Sequence, residues 1–180
     1  MTVGNKFKAL LVFLFFWLLA FAFYFKTAGA GFVTDEVGWL QNYSTPGWHG
    51  IFHAFGDKSL HYFYHVFGFL AWKLFGLNGT AWMIVFVSIH AAIATVSFAV
   101  FEQFFSVEGI ASSTGIALTG SLLFIISPYQ TEPMVWYACI HYLASSFLLF
   151  SAFYFLLRYL EERSKKFIAT FYFCFFIALF

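Results

Sequence analysis

The chain has 180 residues, of which 62% are hydrophobic, 26% are aromatic and only 9% are charged, with a formal net charge of +1. Soluble domains carry about 25% charged residues, so this chain has too little polar surface to cover a water-soluble globule of its size. The low net charge leaves no basic patch for nucleic acid, and the apolar content rules out disorder, so the composition predicts an integral membrane protein.

Charge-free apolar stretches predict where the chain crosses a bilayer, whose core needs about 20 apolar residues in helical form. The spans predicted from such stretches, which satisfy this length wholly or in part, lie at about residues 8–26, 80–101, 109–128, 135–158 and 167–180. The last one stops too early to cross, which predicts that the chain is the N-terminal part of a longer protein. The sequence therefore predicts an all-α polytopic membrane protein, with residues 1–180 as a single N-terminal transmembrane module.

The first apolar stretch has a second interpretation. Lys6 and Lys8, the apolar run and Ala28-Gly29-Ala30 together imitate a cleavable signal peptide. An uncleaved first span is favoured because the run exceeds the usual apolar region of about 7–15 residues and because further spans follow.

Residues 27–79 are predicted to form a long loop on the outer side of the membrane. Residues 37–56 carry Pro and Gly, which break the backbone pairing that lipid demands. Residues 59–72 are apolar, but a crossing there would move the later basic cluster outside and oppose the positive-inside rule. With a cytoplasmic N-terminus and no crossing there, the inner side holds Lys6, Lys8, Arg158, Arg163, Lys165 and Lys166.

Residues 59–72 have the pattern of an amphipathic helix that lies in the headgroup plane. The predicted apolar face consists of Leu60, Phe63, Phe67, Leu70 and Leu74. The predicted polar face consists of Lys58, His61, Tyr62, His65, Trp72 and Lys73. The expected protein is thus a multi-pass protein of the bacterial inner membrane or an equivalent membrane, with this helix on its outer face.

Three acids on the predicted outer side point to chemistry. Asp35 and Glu36 follow the first span between apolar flanks, and Glu132 lies in the outer turn between two prolines. A carboxylate at such a low-dielectric boundary can act as a general base or bind a divalent cation. Alternatively, Asp35 caps a helix, Glu36 favours its first turn, and Glu132 simply belongs to a boundary turn.

The histidines leave a metal site open as an alternative. His49 with His53, and His61 with His65, have the i,i+4 spacing that puts both imidazoles on one helix face. A His-box metalloenzyme would use such pairs, although no HxxHH box is present. The favoured interpretation is hydrogen bonding at the headgroup boundary. The intramembrane His90, and His141 near the outer end of its span, are expected to face the bundle interior or a cavity.

The order of these features resembles the GT-C glycosyltransferases, polytopic enzymes that use polyprenyl-phosphate sugars. The segment Leu74-Phe75-Gly76-Leu77-Asn78-Gly79-Thr80-Ala81-Trp82, followed by Ser88-Ile89-His90-Ala91-Ala92, looks like the "LFGLNP-x-x-(F/W)H-x-x-N-x-x-x-H" stretch of the TPR-linked O-mannosyltransferase-like branch. The segment Ser127-Pro128-Tyr129-Gln130-Thr131-Glu132-Pro133-Met134-Val135-Trp136 looks like its "HP-x-x-TEAV-x-W" turn, and Arg158-Tyr159 ends the fourth span as in that branch. The similarity extends from about Phe32 to Tyr159.

The resemblance implies an inverting hexosyltransferase that moves a mannose-like or other hexose from a polyprenyl-phosphate donor to a protein, lipid or glycan acceptor. It makes Asp35 the catalytic base, Glu36 its acidic neighbour and Glu132 the second acid. Basic residues that the family carries are replaced here, so candidates for the donor phosphate are Lys58, His61, His65 and His141. A divalent metal ion at Asp35 and Glu132 stays open, and no other cofactor is implied. The alternatives are a non-catalytic polysaccharide or lipid transporter or assembly subunit, and the His-box metalloenzyme.

Overall fold

The structure, a computed structural model, describes residues 3–29, 32, 35–44 and 62–179. These residues form helices and turns, with no β-strand among them, which confirms the predicted all-α fold for this part of the chain. Short 3-10 helices lie at Phe25–Gly29, Pro128–Gln130 and Tyr137–Cys139. The α-helices are α1 (Val3–Tyr24), α2 (Asp35–Ser44), α3 (Tyr62–Phe75), α4 (Gly79–Val107), α5 (Ser113–Ile126), α6 (Thr131–Val135), α7 (Ile140–Glu162) and α8 (Lys165–Ala178).

Three of these helical segments are long and apolar enough to cross a membrane: Phe7–Gly29, α4 and α7. The other two predicted spans are helical but short, because α5 and α8 have 14 residues each. At 1.5 Å per residue each is about 21 Å long, less than the bilayer core of about 30 Å. The structure thus supports a membrane protein with three candidate spans, and the five-span topology stays a prediction.

Helix α4 is longer than the sequence pattern indicated. The side chain of Asn78 caps its start by accepting a hydrogen bond from the backbone N–H of Ala81 at 3.2 Å. The predicted span ended at residue 101, but residues 102–107 contain no helix breaker and α4 continues to Val107. The chain reverses at Gly109, whose φ of +73° is a left-handed conformation that glycine adopts without strain.

Helix α4 is the centre of the bundle, and α1, α5 and α7 pack around it. Its contact with α1 includes a hydrogen bond from the indole N–H of Trp17 to the hydroxyl of Ser88 at 3.0 Å. By contrast, α1 exposes large apolar side chains on its other side, which is the surface expected of a helix that faces lipid. The buried side chains of α4 are Trp82, Met83, Phe86, Val87, His90, Ala91, Ile93, Ala94, Ser97 and Phe98.

The two ends of the bundle differ in charge. At one end the ammonium group of Lys8 contacts both carboxylate oxygens of Glu102 at 2.7 and 2.8 Å, and Thr114 donates to the same carboxylate at 2.7 Å. These contacts bring together the first turns of α1 and α5 and the last turns of α4. We call this the charged end, and it also holds Arg158. The opposite end, with α2, α3 and residues 128–139, is called the loop end.

The predicted amphipathic helix exists as α3, but the assignment of His65 to its polar face is wrong. Phe67, Leu70 and Leu74 are 48%, 44% and 75% exposed, as expected for an apolar face directed at lipid. His65, assigned to the water-facing side, is only 1% exposed because Tyr43 of α2 covers it. The close approach needs Gly68, since a Cβ atom there would lie 2.9 Å from the Tyr43 hydroxyl oxygen.

Candidate functional site

An aromatic cluster organises the loop end. The ring of Phe32 lies 5.9 Å from that of Trp82, at the start of α4, and 5.1 Å from that of Tyr137. The rings of Trp82 and Tyr137 lie 5.6 Å apart, and the Tyr137 hydroxyl donates a hydrogen bond to the backbone oxygen of Gly79 at 3.0 Å. Because aromatic pairs at these distances are favourable, the cluster joins the segment before α2 to the start of α4 and the turn after α6.

Asp35 and Glu36, the predicted catalytic pair, are the first two residues of α2. Their side chains lie outside the described parts of the structure, but the helix itself packs against α3 and against the turn Tyr137–Cys139. The acidic start of α2 is also three positions after Phe32, which the aromatic cluster holds. The cluster therefore determines where the chain enters the acid-bearing helix.

Glu132, the predicted second acid, lies in the first turn of the short helix α6. Its side chain is exposed, and it has no ion pair with any residue that the structure describes. The turn is anchored by Met134, whose side chain is buried, while Tyr129 is exposed on its other side. Glu132 is thus a carboxylate open to a ligand or water, on a segment whose continuation contacts α2.

The structure describes two of the four residues predicted to meet a donor phosphate, and it places them differently. Lys58 and His61 lie outside the described residues. His65 is buried, and its Nδ1 lies 3.1 Å from the hydroxyl oxygen of Tyr43. His141 is in the first turn of α7, partly buried, with its ring 3.9 Å from that of Tyr142. Of the described candidates, only His141 has part of its side chain accessible.

Tyr43 is a structural residue that the sequence pattern did not indicate. Burial raises the pKa of its hydroxyl above the ordinary value of about 10. The hydroxyl therefore stays protonated at neutral pH and can donate its hydrogen to Nδ1 of His65. The only signal in the sequence was the helical glycine Gly68, which leaves room for a large side chain from elsewhere.

The position of His90 confirms the expectation that its side chain faces the bundle interior. It is fully buried, with its ring perpendicular to Tyr24 at 5.9 Å and 4.7 Å from the ring of Phe124. Neither ring nitrogen makes a well-aligned hydrogen bond with a described residue, although the backbone of Ile125 lies close to the ring. The hydroxyl of Tyr24 lies close to the side chain of Thr131, next to Glu132, so Tyr24 connects His90 to the second acidic segment.

Neither a metal cluster nor a known relative identifies the site. Among the residues that the structure describes, no three His, Cys, Asp or Glu side chains are grouped so that they could hold a metal ion. His49, His53 and His61 of the predicted His boxes lie outside those residues. Comparisons with protein-family models, with curated proteins and with solved structures found no match for this chain.

Proposed function

We propose that this protein is a membrane glycosyltransferase that moves a hexose from a polyprenyl-phosphate donor to a protein, lipid or glycan acceptor at the loop end of the bundle. One observation carries the proposal. Helix α2, which begins with Asp35 and Glu36, packs against the turn Tyr137–Cys139, which follows the helix that bears Glu132. Two acids from separate loops are what an acid–base site at a membrane boundary requires.

The chemistry follows from the position of a lipid-linked donor. The polyprenyl tail lies in lipid beside the bundle, so the sugar phosphate is presented at the membrane boundary. Asp35 accepts the proton of the acceptor hydroxyl while the acceptor oxygen bonds to the anomeric carbon from the face opposite the phosphate. The bond from that carbon to the phosphate oxygen breaks, and the phosphate leaves with the electron pair, which inverts the anomeric centre.

The departing phosphate gains negative charge, so a positive group must stabilise it. The candidates for this positive group are Lys58 and a protonated His61 or His141. Glu36 and Glu132 bind the acceptor or orient it, because a second carboxylate beside the base helps to place a hydroxyl for attack.

The test is an exchange of a single acid with a matched control in the same loop. Asp35→Asn removes the base without changing the size of the side chain, whereas Asp57→Asn makes the same chemical change elsewhere in residues 27–79. Transfer of labelled hexose from polyprenyl phosphate, measured in membranes that contain the full chain, should be abolished in Asp35→Asn and retained in Asp57→Asn. Near-normal transfer by Asp35→Asn would remove Asp35 from its role. Absence of transfer by the unmodified chain would favour the non-catalytic transporter or assembly subunit.

The proposal also requires the loop end to face away from the cytoplasm. Reporters fused near Gly50 and at Ser164 should respond from opposite sides, with Ser164 cytoplasmic, because basic residues concentrate in the inner loops of membrane proteins. A cytoplasmic signal at Gly50 would contradict the proposal, because the sugar donor would then lie on the wrong side.

A further inference from the structure

An open cavity lies at the charged end, opposite the proposed catalytic end. It is an open cleft of about 420 Å³ between α1, α4, α5 and α7. Cavities of about 300–1,000 Å³ are typical of sites that bind small molecules. The structure places two acids, Glu102 and Glu161, in the cleft wall.

The lining of the cleft changes from apolar to charged along its depth. Val12, Phe98 and Ala99 line the part nearer the middle of the bundle, together with the hydroxyl-bearing Thr95 and Tyr154. From Thr95 to the charged rim, α4 rises about 10 Å at 1.5 Å per residue. The side chains of that rim are Lys8, Glu102, Arg158 and Glu161. A cavity with an apolar interior and a charged rim fits an amphiphile whose headgroup stays at the membrane boundary.

The rim retains both donors and an acceptor for such a headgroup. The ammonium group of Lys8 has three donors, and its two contacts with Glu102 leave one available. The guanidinium of Arg158 has five donors, and its contact with Glu162 leaves most of them available. Glu161 has no ion pair within the described part of the chain. Arg158 and Glu161 are also neighbours on one helix face, at i,i+3 spacing.

Gln103 provides an independent sign of a missing partner. Its side chain lines the cleft, and its amide nitrogen is buried with no hydrogen-bond partner among the described residues. Buried polar groups in folded proteins are nearly always hydrogen-bonded, so an orphaned one calls for a ligand or water. Rotation of this side-chain amide toward the cleft, whose wall Gln103 forms, would let an ester or phosphate oxygen of a lipid accept its hydrogen bond.

We propose that the cleft binds a phospholipid with a primary-amine headgroup, of the phosphatidylethanolamine type. Lys8 and Arg158 bind the phosphate, Glu161 accepts hydrogen bonds from the ammonium group, and Gln103 donates to an ester oxygen. The rim carries two basic and two acidic side chains, so it has no net positive charge to favour an anionic lipid. A choline headgroup fits less well, because its quaternary ammonium has no hydrogen to donate to Glu161.

The test measures which lipid stays bound. The full chain is reconstituted in vesicles with equal amounts of phosphatidylethanolamine, phosphatidylcholine and phosphatidylglycerol, extracted in mild detergent, and analysed by native mass spectrometry. The ethanolamine lipid should be retained about tenfold over the choline lipid, the ratio expected from one charge-assisted hydrogen bond. Glu161→Gln should bring the two lipids close to parity. Glu108→Gln, an exposed acid beside the cleft but outside its lining, should keep the preference.

Several outcomes would overturn the proposal. Equal retention of the ethanolamine and choline lipids by the unmodified chain would exclude recognition of the amine, and a preference for phosphatidylglycerol would identify an anionic-lipid site instead. An equal effect of Glu108→Gln and Glu161→Gln would show that surface charge, not the cleft, selects the lipid. The comparison on the unmodified chain decides the question even if Glu161→Gln does not fold. Asp35→Asn should bind lipid normally, so this site and the proposed catalytic site are tested separately.

Discussion

The contact between α2 and α3 depends on the absence of a side chain at Gly68, and Gly68→Ala tests it. A Cβ atom at this position would lie 2.9 Å from the hydroxyl oxygen and 3.0 Å from Cε2 of Tyr43. Tyr43 cannot easily move away, because it is buried and its hydroxyl contacts His65. The alanine methyl group should therefore push α3 away from α2, the helix that carries Asp35.

The expected size follows from two opposing effects. Alanine is better than glycine in a helix by about 1 kcal/mol, whereas an added methyl group in a well-packed contact costs about 1–3 kcal/mol. Gly68→Ala should thus destabilise the α2–α3 contact by up to about 2 kcal/mol after the gain in helix propensity. Gly38→Ala is the matched control, because nothing lies within 4 Å of a Cβ atom built at Gly38 of α2. It should stabilise α2 by up to about 1 kcal/mol.

Amide hydrogen exchange of the reconstituted protein measures this difference, because exchange reports the free energy of local opening. Amides of α3 should exchange faster in Gly68→Ala than in the unmodified chain, while Gly38→Ala should leave α3 unchanged and protect α2. Equal protection of α3 in both variants would refute the reasoning, since it would mean that Tyr43 does not pack closely on Gly68.

Three further predictions concern single contacts. Burial raises the pKa of the Tyr43 hydroxyl, so the stability that this protonated hydroxyl contributes is complete below pH about 10 and is lost as the pH rises further. Thermal unfolding above pH about 10 should therefore depend less on pH in Tyr43→Phe than in the unmodified chain. An unchanged pH dependence would contradict this. Glu102→Gln removes the ion pair between Glu102, which is 24% exposed, and Lys8, which is 52% exposed. It should lower the free energy of unfolding by less than about 1 kcal/mol, because exposed ion pairs contribute little. A larger loss of stability in thermal unfolding, or one that high salt does not reduce, would refute this. Tyr137→Phe removes the hydrogen bond to the backbone oxygen of Gly79 and should lower the free energy of local unfolding by about 1 kcal/mol. The amides at the start of α4 should then exchange faster than in the unmodified chain. Unchanged exchange there would count against this hydrogen bond.

Local chemistry was enough to predict the class of protein and much of its helical structure. The scarcity of charge favours a membrane protein, and the apolar runs that form α1, α4 and α7 are long enough to be recognised without knowledge of any partner. The acidic segments could also be recognised, since Asp35 and Glu132 are among the few acids in an apolar chain. Helix ends were less predictable, because α4 passes through Glu102 and α7 begins only at Ile140.

Contacts between distant residues determined what the pattern of the sequence could not. An amphipathic pattern shows that a helix has two faces, but it does not show what covers each face. His65 is polar and was expected in water, yet Tyr43 buries it, 22 positions earlier in the chain. Lys8 and Glu102 are 94 positions apart, and the sequence alone gives no sign that they interact. The packing of α1 on α4 brings them together at the rim of a cleft. The physical reason is that helix formation and lipid partition depend on neighbouring residues, whereas burial and ion pairing depend on which helices pack together.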